Sequence, residues 1–406
     1  MPNSSTTTKK RVLVGFSGGV DSTAAVLFLR DAGYEVGALF IDVLGAEADS
    51  VRLNAAALAD QMKLPFYSVN VAERFKQQVI EPFCKDYLLG RTPNPCVICN
   101  PLIKFRVLSE QADLYDYPWI ATGHYARIDR PNQPGMGFGE ETMADVGHET
   151  ATIDCLERTV DCSIRQAYCL PKDQSYMLYR LEQTVLRRLL LPLGEVASKQ
   201  AVREKVRRTG LLNADQRDSQ EICFVDEAQR IELIEFFNRE SGEGRLKKEE
   251  VYQAGDFGDQ LGNFVDQAGN ILGRHGGIAR YTIGQRKNLG ISLGRPMYVT
   301  KINAQTNTVV LGDDSDLFHS SITVEDVVFT QKDDADLAGT AGTPGPTVLV
   351  KIRSAAKAAP ARLCDWQAEQ RLLTINFEEA QRAPAPGQSA VFYIGDRLIG
   401  GGIINS

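Results

Sequence analysis

The amino-acid sequence predicts an α/β fold, with a parallel sheet flanked by helices, a small central domain and a C-terminal antiparallel β-barrel. Strand-like apolar runs alternate with helical patterns in the first half of the chain, which is typical of a parallel sheet. Short β-branched runs separated by turn residues fill the last part, which favours a small barrel. We expect a disordered tail at 1–10, the sheet-and-helix domain at 11–216, the central domain at 217–292 and the barrel at 293–406.

The first predicted strand and helix lie on either side of a short loop. Arg11–Phe16 is a β-branched and apolar run of the kind that forms buried strands. Within Ser22–Ala32, the residues Ala25, Val26 and Leu29 recur at helical spacing, and a glycine follows as a natural helix end. The alternation continues with predicted strands at 36–43, 65–71 and 118–122 and predicted helices at 48–62 and 72–89. Such sheets bind ligands at the carboxyl ends of their strands.

The second half of the chain changes in character from about Arg217. A helix is predicted over 231–237, and Asp226 with Gln229 resembles a capping box at its start. Predicted strands follow at 297–302, 308–311, 347–352, 372–377, 390–394 and 398–404. Composition predicts a surface excursion at 130–150 and a flexible loop at 333–346.

Length and composition are those of an ordinary globular protein. The chain has 406 residues, of which 43% are hydrophobic and 24% charged, and no apolar run approaches membrane-spanning length. Eight cysteines in so long a chain do not make a secreted disulfide framework, so we expect a reducing, cytoplasmic location and no membrane. The net charge of −7 does not exclude nucleic acid, because a local basic face is enough to bind phosphates. The basic stretch 186–208 is one candidate, and a solvated helix surface is its alternative interpretation.

The loop between the first strand and helix is Ser17-Gly-Gly-Val-Asp-Ser22. Backbone amides at a helix N-terminus, approached closely because glycine lacks a side chain, form an anion site. The loop is neither a Walker loop nor a dinucleotide fingerprint, because it lacks Gly-Lys-Ser/Thr and Gly-x-Gly-x-x-Gly. An ordinary βα turn is the alternative interpretation.

This loop resembles the PP-loop of the ATP pyrophosphatases. The resemblance implies an enzyme that splits ATP into AMP and pyrophosphate and adenylates an oxygen of its substrate. The parts suit that chemistry, because amides and serine hydroxyls can hold phosphate oxygens and Asp21 can hold Mg²⁺.

Further motifs occur in order along the chain. They are RTPNPCVICN at 91–100, ATGHYAR at 121–127, KDQSYML at 172–178, DSQEICFV at 218–225, GQRKNLG at 284–290 and GQSAVFY at 387–393. With the PP-loop they resemble the tRNA-specific 2-thiouridylases over nearly the whole chain. In that family, ATP adenylates the carbon-2 oxygen of the wobble uridine of tRNA, and a cysteine persulfide then delivers sulfur. The resemblance therefore implies tRNA as a partner and a cysteine desulfurase or sulfur-relay protein as donor.

The resemblance also implies binding roles for individual residues. The residues implied at ATP are Gly15, Phe16, Ser17, Gly18, Gly19, Val20, Asp21, Ser22, Ile41 and Gly123. The residues implied at tRNA are Asn94, Pro95, Cys96, His124, Lys172, Asp173, Gln174, Arg353, Ser354 and Gln388. Two departures weaken the match, because Ser354 replaces a tyrosine usual beside Arg353 and the segment 131–165 has no clear family counterpart.

Two cysteines match the catalytic thiols of the family. Cys99 matches the first, and Asn100-Pro101 beside it predicts a helix start that would favour its thiolate. Cys223 matches the persulfide carrier, and its alternative is a core position between Ile222 and Phe224. Two thiols suit sulfur transfer, because one carries the sulfane sulfur and the other attacks it.

Other cysteines leave alternatives open. Cys96 stands where many relatives have aspartate, and an iron–sulfur cluster held by Cys96, Cys99 and Cys223 is an alternative to the persulfide. Structural zinc is not expected, because no second Cys-x-x-Cys exists. The buried core is the expected place of Cys84 and Cys364, and no role follows from the seven-residue spacing of Cys155, Cys162 and Cys169. Rival functions are a PP-loop amidating ligase, which needs no reactive thiols, and a non-catalytic tRNA-binding protein.

Overall fold

A computed structural model describes residues 10–45, 49–130, 161–211, 213, 222–242, 261–340 and 342–405. Residues 1–9 of the predicted tail, most of the predicted excursion at 130–150 and Cys155 lie outside these residues. The chain divides into two compact units, the first formed by Met1–Phe75, Cys99–Asp218 and Asp396–Ile399, the second by Lys76–Ile98, Ser219–Gly395 and Gly400–Ser406. Among the described residues, no helix is both long and apolar enough to cross a membrane.

The first unit is built on a parallel sheet. Its strands are β1 Arg11–Gly15, β2 Glu35–Asp42, β3 Phe66–Asn70, β4 Trp119–Ala121, β5 Ala126–Asp129, β6 Ser163–Gln166 and β7 Leu189–Leu190. Five of them pair in the order β3-β2-β1-β4-β7, all in parallel, while β5 and β6 form an antiparallel hairpin. The strand order reverses between β1 and β4, which is where sheets of this kind bind their ligands.

Helices alternate with the strands, as the sequence predicts. They are α1 Val20–Asp31, α2 Asp49–Gln61, α3 Ala72–Phe75, α4 Glu81–Leu88, α5 Pro95–Cys99, α6 Phe105–Leu114, α7 Gln183–Leu186, α8 Lys199–Arg207 and α9 Glu227–Gly242. π-Helical turns occupy Lys76–Ile80 and Asn100–Lys104, so the helix predicted over 72–89 is divided by the first of them. The predicted cap of α9 is confirmed, because the Asp226 carboxylate accepts a bond of 2.7 Å from the amide of Gln229.

The core of the first unit lies around β1. Val12, Leu13 and Val14 have no exposed surface, and Val12 is in register with Val36 on one side and Trp119 on the other. Burial on both faces explains why the strand is continuously apolar rather than alternating.

The second unit contains a mixed four-stranded sheet and an antiparallel barrel. Its strands are β8 Gly262–Val265, β9 Ile271–His275, β10 Tyr298–Asn303, β11 Thr308–Gly312, β12 Phe318–Phe329, β13 Thr347–Lys351, β14 Ala359–Gln367, β15 Leu372–Arg382, β16 Ser389–Ile394 and β17 Arg397–Ile404. The last six form a barrel, which the pairing of β12 with β17 closes, and the predicted α/β class with a C-terminal antiparallel barrel is confirmed. Hydrogen bonding places β10 and β11 in the four-stranded sheet with β8 and β9, in which β11 and β8 run parallel, and not in the barrel. The domain boundary at residue 293 stays a prediction.

One predicted loop is more ordered than its composition indicated. A 3-10 helix over Lys332–Leu337 includes the first part of 333–346. Asp334 is buried there, and its side chain accepts a bond from the amide of Gln331. A local capping box, which the residue composition did not reveal, orders this part of the segment.

We expect Leu13→Ala to destabilise the first unit by about 2–5 kcal/mol, because it removes buried methyl groups and leaves a cavity that the surrounding residues fill only in part. Urea unfolding followed by the fluorescence of Trp119, in a Trp366→Phe background, measures the change. Leu114→Ala at an exposed position is the control, and equal effects of the two substitutions would contradict the assignment of the core.

Candidate functional site

The predicted glycine loop lies between β1 and α1, at the carboxyl edge of the parallel sheet. Gly18 has a φ of +78°, and a Cβ there would lie 3.2 Å from Cα of Ala55, so the position requires glycine. The hydroxyls of Ser22 and Thr23 each donate to the carbonyl of Gly19 at 3.0 Å. These bonds fix the loop in a shape that presents amides at the start of α1, as phosphate binding requires.

Gly123 lies against this loop at the end of β4. A Cβ built on Gly123 would lie 2.8 Å from the carbonyl carbon of Asp21 and 3.0 Å from the nitrogen of Ser22. Both neighbours are backbone atoms, so the chain passes at a distance that only glycine permits. The structure therefore brings together Gly123 and the loop, two parts of the predicted ATP site that are about a hundred residues apart in sequence.

Asp21 accepts hydrogen bonds from two side chains that the sequence analysis did not assign to this site. The Tyr125 hydroxyl donates to its Oδ1 at 2.7 Å, and the Lys199 ammonium lies 2.6 Å from the same oxygen. Asn213 donates to the carbonyl of Gly18 at 3.0 Å and to the Thr23 hydroxyl at 2.8 Å. Tyr125 stood in a quoted motif and Lys199 in the basic stretch, but only the fold places them at the loop.

The remaining predicted ATP residues lie around the same edge. Phe16, Val20 and Ser22 are buried, whereas Ser17 is exposed and Gly15 is half-buried at the end of β1. Ile41 is half-buried near the end of β2, in register with Val69. Because β2 is next to β1, Ile41 occupies the strand end adjacent to the loop.

His124 follows Gly123 and is half-buried. Its Nδ1 lies 2.8 Å from the Thr122 hydroxyl, and its ring packs at 5.5 Å from that of Phe105. Burial, together with the charge of Lys104, holds the pKa of His124 well below its ordinary value. The imidazole is therefore neutral at physiological pH. A tRNA contact by His124 stays a prediction.

The Lys172-Asp173-Gln174 motif contributes to the fold of this unit. The Asp173 carboxylate accepts bonds from the amides of Ala167 and Ser175 at 3.0 and 3.2 Å. Gln174 makes two hydrogen bonds to the backbone of Tyr125. Its backbone amide donates to the Tyr125 carbonyl at 2.7 Å, and its side-chain Oε1 accepts from the Tyr125 amide at 3.0 Å. The motif therefore holds Tyr125, whose hydroxyl donates to Asp21. A direct tRNA contact by Lys172, Asp173 and Gln174 stays a prediction.

The helix start predicted at Asn100-Pro101 is wrong. The helix begins with Pro95, and the side chain of Asn94 accepts a bond of 3.2 Å from the amide of Cys96, which satisfies a first-turn donor. Pro101 is accommodated because Asn100–Lys104 forms a π-helical turn, which avoids the clash of the proline ring with the preceding turn. Cys99 is thus the fifth residue of the helix, and the dipole supports its thiolate less than the sequence predicted.

Asn100 has another function in the structure. It is buried, and its side chain donates to the carbonyl of Met177 at 2.9 Å. This bond ties the π-helical turn to the 3-10 helix Ser175–Leu178, which directly follows the Lys172-Asp173-Gln174 motif. Cys99 is half-buried, and the residue that follows it is anchored to the first unit by this hydrogen bond.

Cys223 belongs to the second unit and is exposed. Its neighbours Ile222 and Phe224 pack against the cluster of Phe83, Tyr87 and Ile234. The alternative that Cys223 is itself a core residue is therefore wrong. The two apolar neighbours are held by packing while the thiol between them faces solvent.

The segment predicted to hold the target base lies beside a cavity of about 430 Å³ in the second unit. Asn94 and Pro95 line it, together with Arg91, whose guanidinium lies 3.2 Å from the Glu325 carboxylate. The Gln388 side chain donates to the Thr92 carbonyl at 2.7 Å. The barrel thus fixes the chain just before the base-holding segment, and a tRNA contact by Gln388 stays a prediction.

The other predicted tRNA residues of the second unit lie on the surface or close to it. Arg353 is exposed and Ser354 is half-buried in the turn that follows β13. Cys96 is half-buried in the first turn of α5. Neither position contradicts a contact with tRNA.

The basic stretch 186–208 is largely compensated by acidic partners. Ion pairs join Arg188 to Asp113, Lys205 to Asp31, and Arg207 and Arg208 to Glu204. Such pairing reduces the positive potential expected from the sequence. The stretch therefore resembles the solvated, ion-paired helix surface that was the alternative to phosphate binding.

We expect Gly123→Ala to weaken ATP binding about tenfold, or about 1.4 kcal/mol, because the added methyl group must displace the backbone of Asp21 and Ser22. Calorimetric titration of ATP measures the change. Gly276→Ala is the control, because its Cβ would meet its nearest neighbour at 3.5 Å, an ordinary contact. Unchanged affinity in Gly123→Ala would contradict the placement of ATP at this loop.

Three family models match successive parts of the chain. A family model described as "tRNA methyl transferase HUP domain" matches residues 10–227. Models described as "tRNA methyl transferase PRC-barrel domain" and "Aminomethyltransferase beta-barrel domain" match residues 254–313 and 319–404. A solved structure of a "predicted subunit of tRNA methyltransferase" from Methanocaldococcus jannaschii aligns at a TM-score of 0.27 and 14% identity, over 49% of this chain and 75% of that chain. This likeness is too low to support an argument.

Curated relatives match along nearly the whole chain. A tRNA-specific 2-thiouridylase MnmA of Clostridioides difficile is 38% identical over 97% of this chain and 98% of its own length. One of Desulforudis audaxviator is 39% identical over 97% and 98%, and one named tRNA-specific 2-thiouridylase MnmA 3 of Bacteroides fragilis is 38% identical over 98% and 95%. The chain belongs to the family of the tRNA-specific 2-thiouridylases, PP-loop enzymes that modify tRNA.

Proposed function

We propose that the protein catalyses the ATP-dependent 2-thiolation of the wobble uridine of tRNA. The carbon-2 oxygen of the base attacks the α-phosphorus of ATP, and pyrophosphate leaves. Sulfur from a persulfide on Cys223 then replaces the adenylated oxygen, and AMP leaves. The observation that carries the proposal is the close approach of Gly123 to the Asp21–Ser22 backbone, because it builds an anion site at the strand ends where the family motifs meet.

The residues of the first unit fit ATP and Mg²⁺. The glycines leave room for polyphosphate, and the α1 amides with the Ser17 hydroxyl are suitable donors to its oxygens. Asp21 is the carboxylate available at the loop, so it would hold Mg²⁺, which neutralises the charge that develops on the leaving pyrophosphate. Hydrogen bonds from Tyr125 and Lys199 orient this carboxylate.

The two thiols would have different functions. Cys223 is exposed, as a residue that receives sulfur from a cysteine desulfurase or relay protein needs to be. The Cys99 thiolate then attacks the Cys223 sulfur of the persulfide, which yields a Cys99–Cys223 disulfide and the hydrosulfide that displaces AMP. Alternatively, the outer persulfide sulfur displaces AMP itself, and Cys99 then cleaves the resulting disulfide between the base and Cys223, which releases 2-thiouridine and leaves the same Cys99–Cys223 disulfide. A thiol reductant must return the disulfide to two thiols in each turnover, which fits the reducing cytoplasmic location that we expect.

An iron–sulfur cluster held by Cys96, Cys99 and Cys223 is the alternative route for the same reaction. Among the described residues, no three His, Cys, Asp or Glu side chains are gathered as a metal site. Cys96 and Cys223 belong to the second unit and Cys99 to the first. Iron analysis of anaerobically purified protein therefore decides between the two routes.

We expect Asp21→Ala to abolish the release of pyrophosphate from ATP in the presence of unmodified tRNA, because it removes the magnesium ligand. Asp31→Ala, at the other end of α1, is the matched control and should retain activity. Wild-type pyrophosphate release by Asp21→Ala would refute the proposed ATP site. Mass analysis of the product nucleoside separates thiolation from the methyl transfer that the family-model descriptions name.

Cys99→Ser and Cys223→Ser should each abolish 2-thiouridine formation and leave tRNA binding intact, and only Cys223→Ser should lose persulfide labelling by a cysteine desulfurase. Cys364→Ala, which removes a buried barrel thiol, is the control. Cys96→Ala should retain partial activity, because no covalent step uses that thiol. If Cys96→Ala is instead as inactive as Cys99→Ser and loses bound iron, the cluster route replaces the persulfide route.

A further inference from the structure

We propose that Lys199 is a nucleotide-binding residue that contacts the phosphates of ATP. The inference rests on the proposed ATP site and adds to it a charged side chain from α8. In the structure, the ammonium group pairs with Asp21. When the carboxylate turns to a divalent cation, the ammonium moves to the neighbouring phosphate oxygens.

The position of Lys199 is unfavourable for its own helix. It is the first residue of α8, which the Ser198 hydroxyl caps by accepting a bond of 3.2 Å from the amide of Ala201. A cation in the first helical turn opposes the helix dipole and is therefore unfavourable there. Local structure therefore does not explain why a lysine stands here, whereas a partner outside the helix does.

Packing directs the side chain at the glycine loop. Only 14% of the Lys199 side chain is exposed, and its ammonium lies 2.6 Å from Oδ1 of Asp21. The ammonium also lies 5.7 Å from the centre of the Tyr125 ring. Because α8 packs against α1 through buried Val202 and Val206, the ammonium is held at the loop where polyphosphate would bind.

A second lysine on α8 gives a comparison. Lys205 also pairs with an aspartate of α1, but its partner is Asp31 at the opposite end, far along the helix from the glycine loop. Both lysines thus join the same two helices through Lys–Asp pairs. Only Lys199 places its charge beside the amides of the glycine loop, and this location distinguishes it from Lys205.

The charges of the site support the exchange. Asp21 and Lys199 neutralise each other, and ATP with its divalent cation brings net negative charge. A carboxylate beside the phosphates would repel them, whereas a carboxylate bound to the cation and an ammonium bound to phosphate oxygens both attract them. Lys199 thereby keeps Asp21 oriented before ATP binds and supplies a cation to the phosphates afterwards.

Equilibrium binding of ATP and of adenosine tests the proposal without turnover. We expect Lys199→Met to weaken ATP binding about 10- to 100-fold, as for loss of a charged hydrogen bond, and to leave adenosine binding unchanged. Lys199→Arg should restore part of the ATP affinity. Lys205→Met, the matched control, should bind both ligands like the wild type.

Two outcomes would overturn the inference. Equal losses for ATP and adenosine would mean that Lys199 only shapes the loop, and no loss would mean that it does not reach the phosphates. If Lys199→Met does not fold, the double variant Asp21→Asn/Lys199→Met, which leaves no unpaired charge, is compared with Asp21→Asn alone, so that the effect of Lys199 is separated from that of Asp21. Failure of the proposed function is distinguishable, because the wild type would then bind ATP no more tightly than adenosine.

Discussion

The candidate site depends on one close contact. Gly123, which follows β4, lies directly against the backbone of the first turn of α1. The contact exists because the strand order reverses between β1 and β4, so that the connections leaving these two strands meet at the same edge. Gly123 allows the approach, since any side chain there would overlap the backbone of Asp21. Tyr125 follows two residues later, and its hydroxyl reaches Asp21 for that reason.

Several elements of the first unit converge on Asp21. Tyr125 comes from the segment after β4, Lys199 from the start of α8, and Gln174 holds the Tyr125 backbone from the 3-10 region. These bonds restrict the rotamer of the carboxylate before a ligand arrives. A carboxylate held in this way loses little conformational freedom when it binds a cation, which is the physical advantage of a preorganised site.

The surroundings of Cys223 explain why an exposed thiol stands between two apolar residues. Phe224 packs its ring at 5.4 Å from that of Phe83, and Ile222 packs against the same cluster. The backbone is fixed on both sides of the cysteine, so the thiol is presented to solvent without being carried by a long unanchored loop. The same two apolar neighbours made a core position a reasonable alternative from the sequence.

Local sequence determined the first four strands of the parallel sheet, the helices α1 and α2 and the glycine loop, because these depend on apolar periodicity, capping residues and the conformational freedom of glycine. It did not determine which of two Asn-Pro pairs begins the helix that contains Cys99, since the two are equivalent locally and differ only in how a π-helical turn absorbs the second proline. Nor did it identify Tyr125, Lys199 and Asn213 at the loop. They lie 104, 178 and 195 residues from their partners, and only the packing of the parallel sheet and of α8 against α1 brings such distant side chains together.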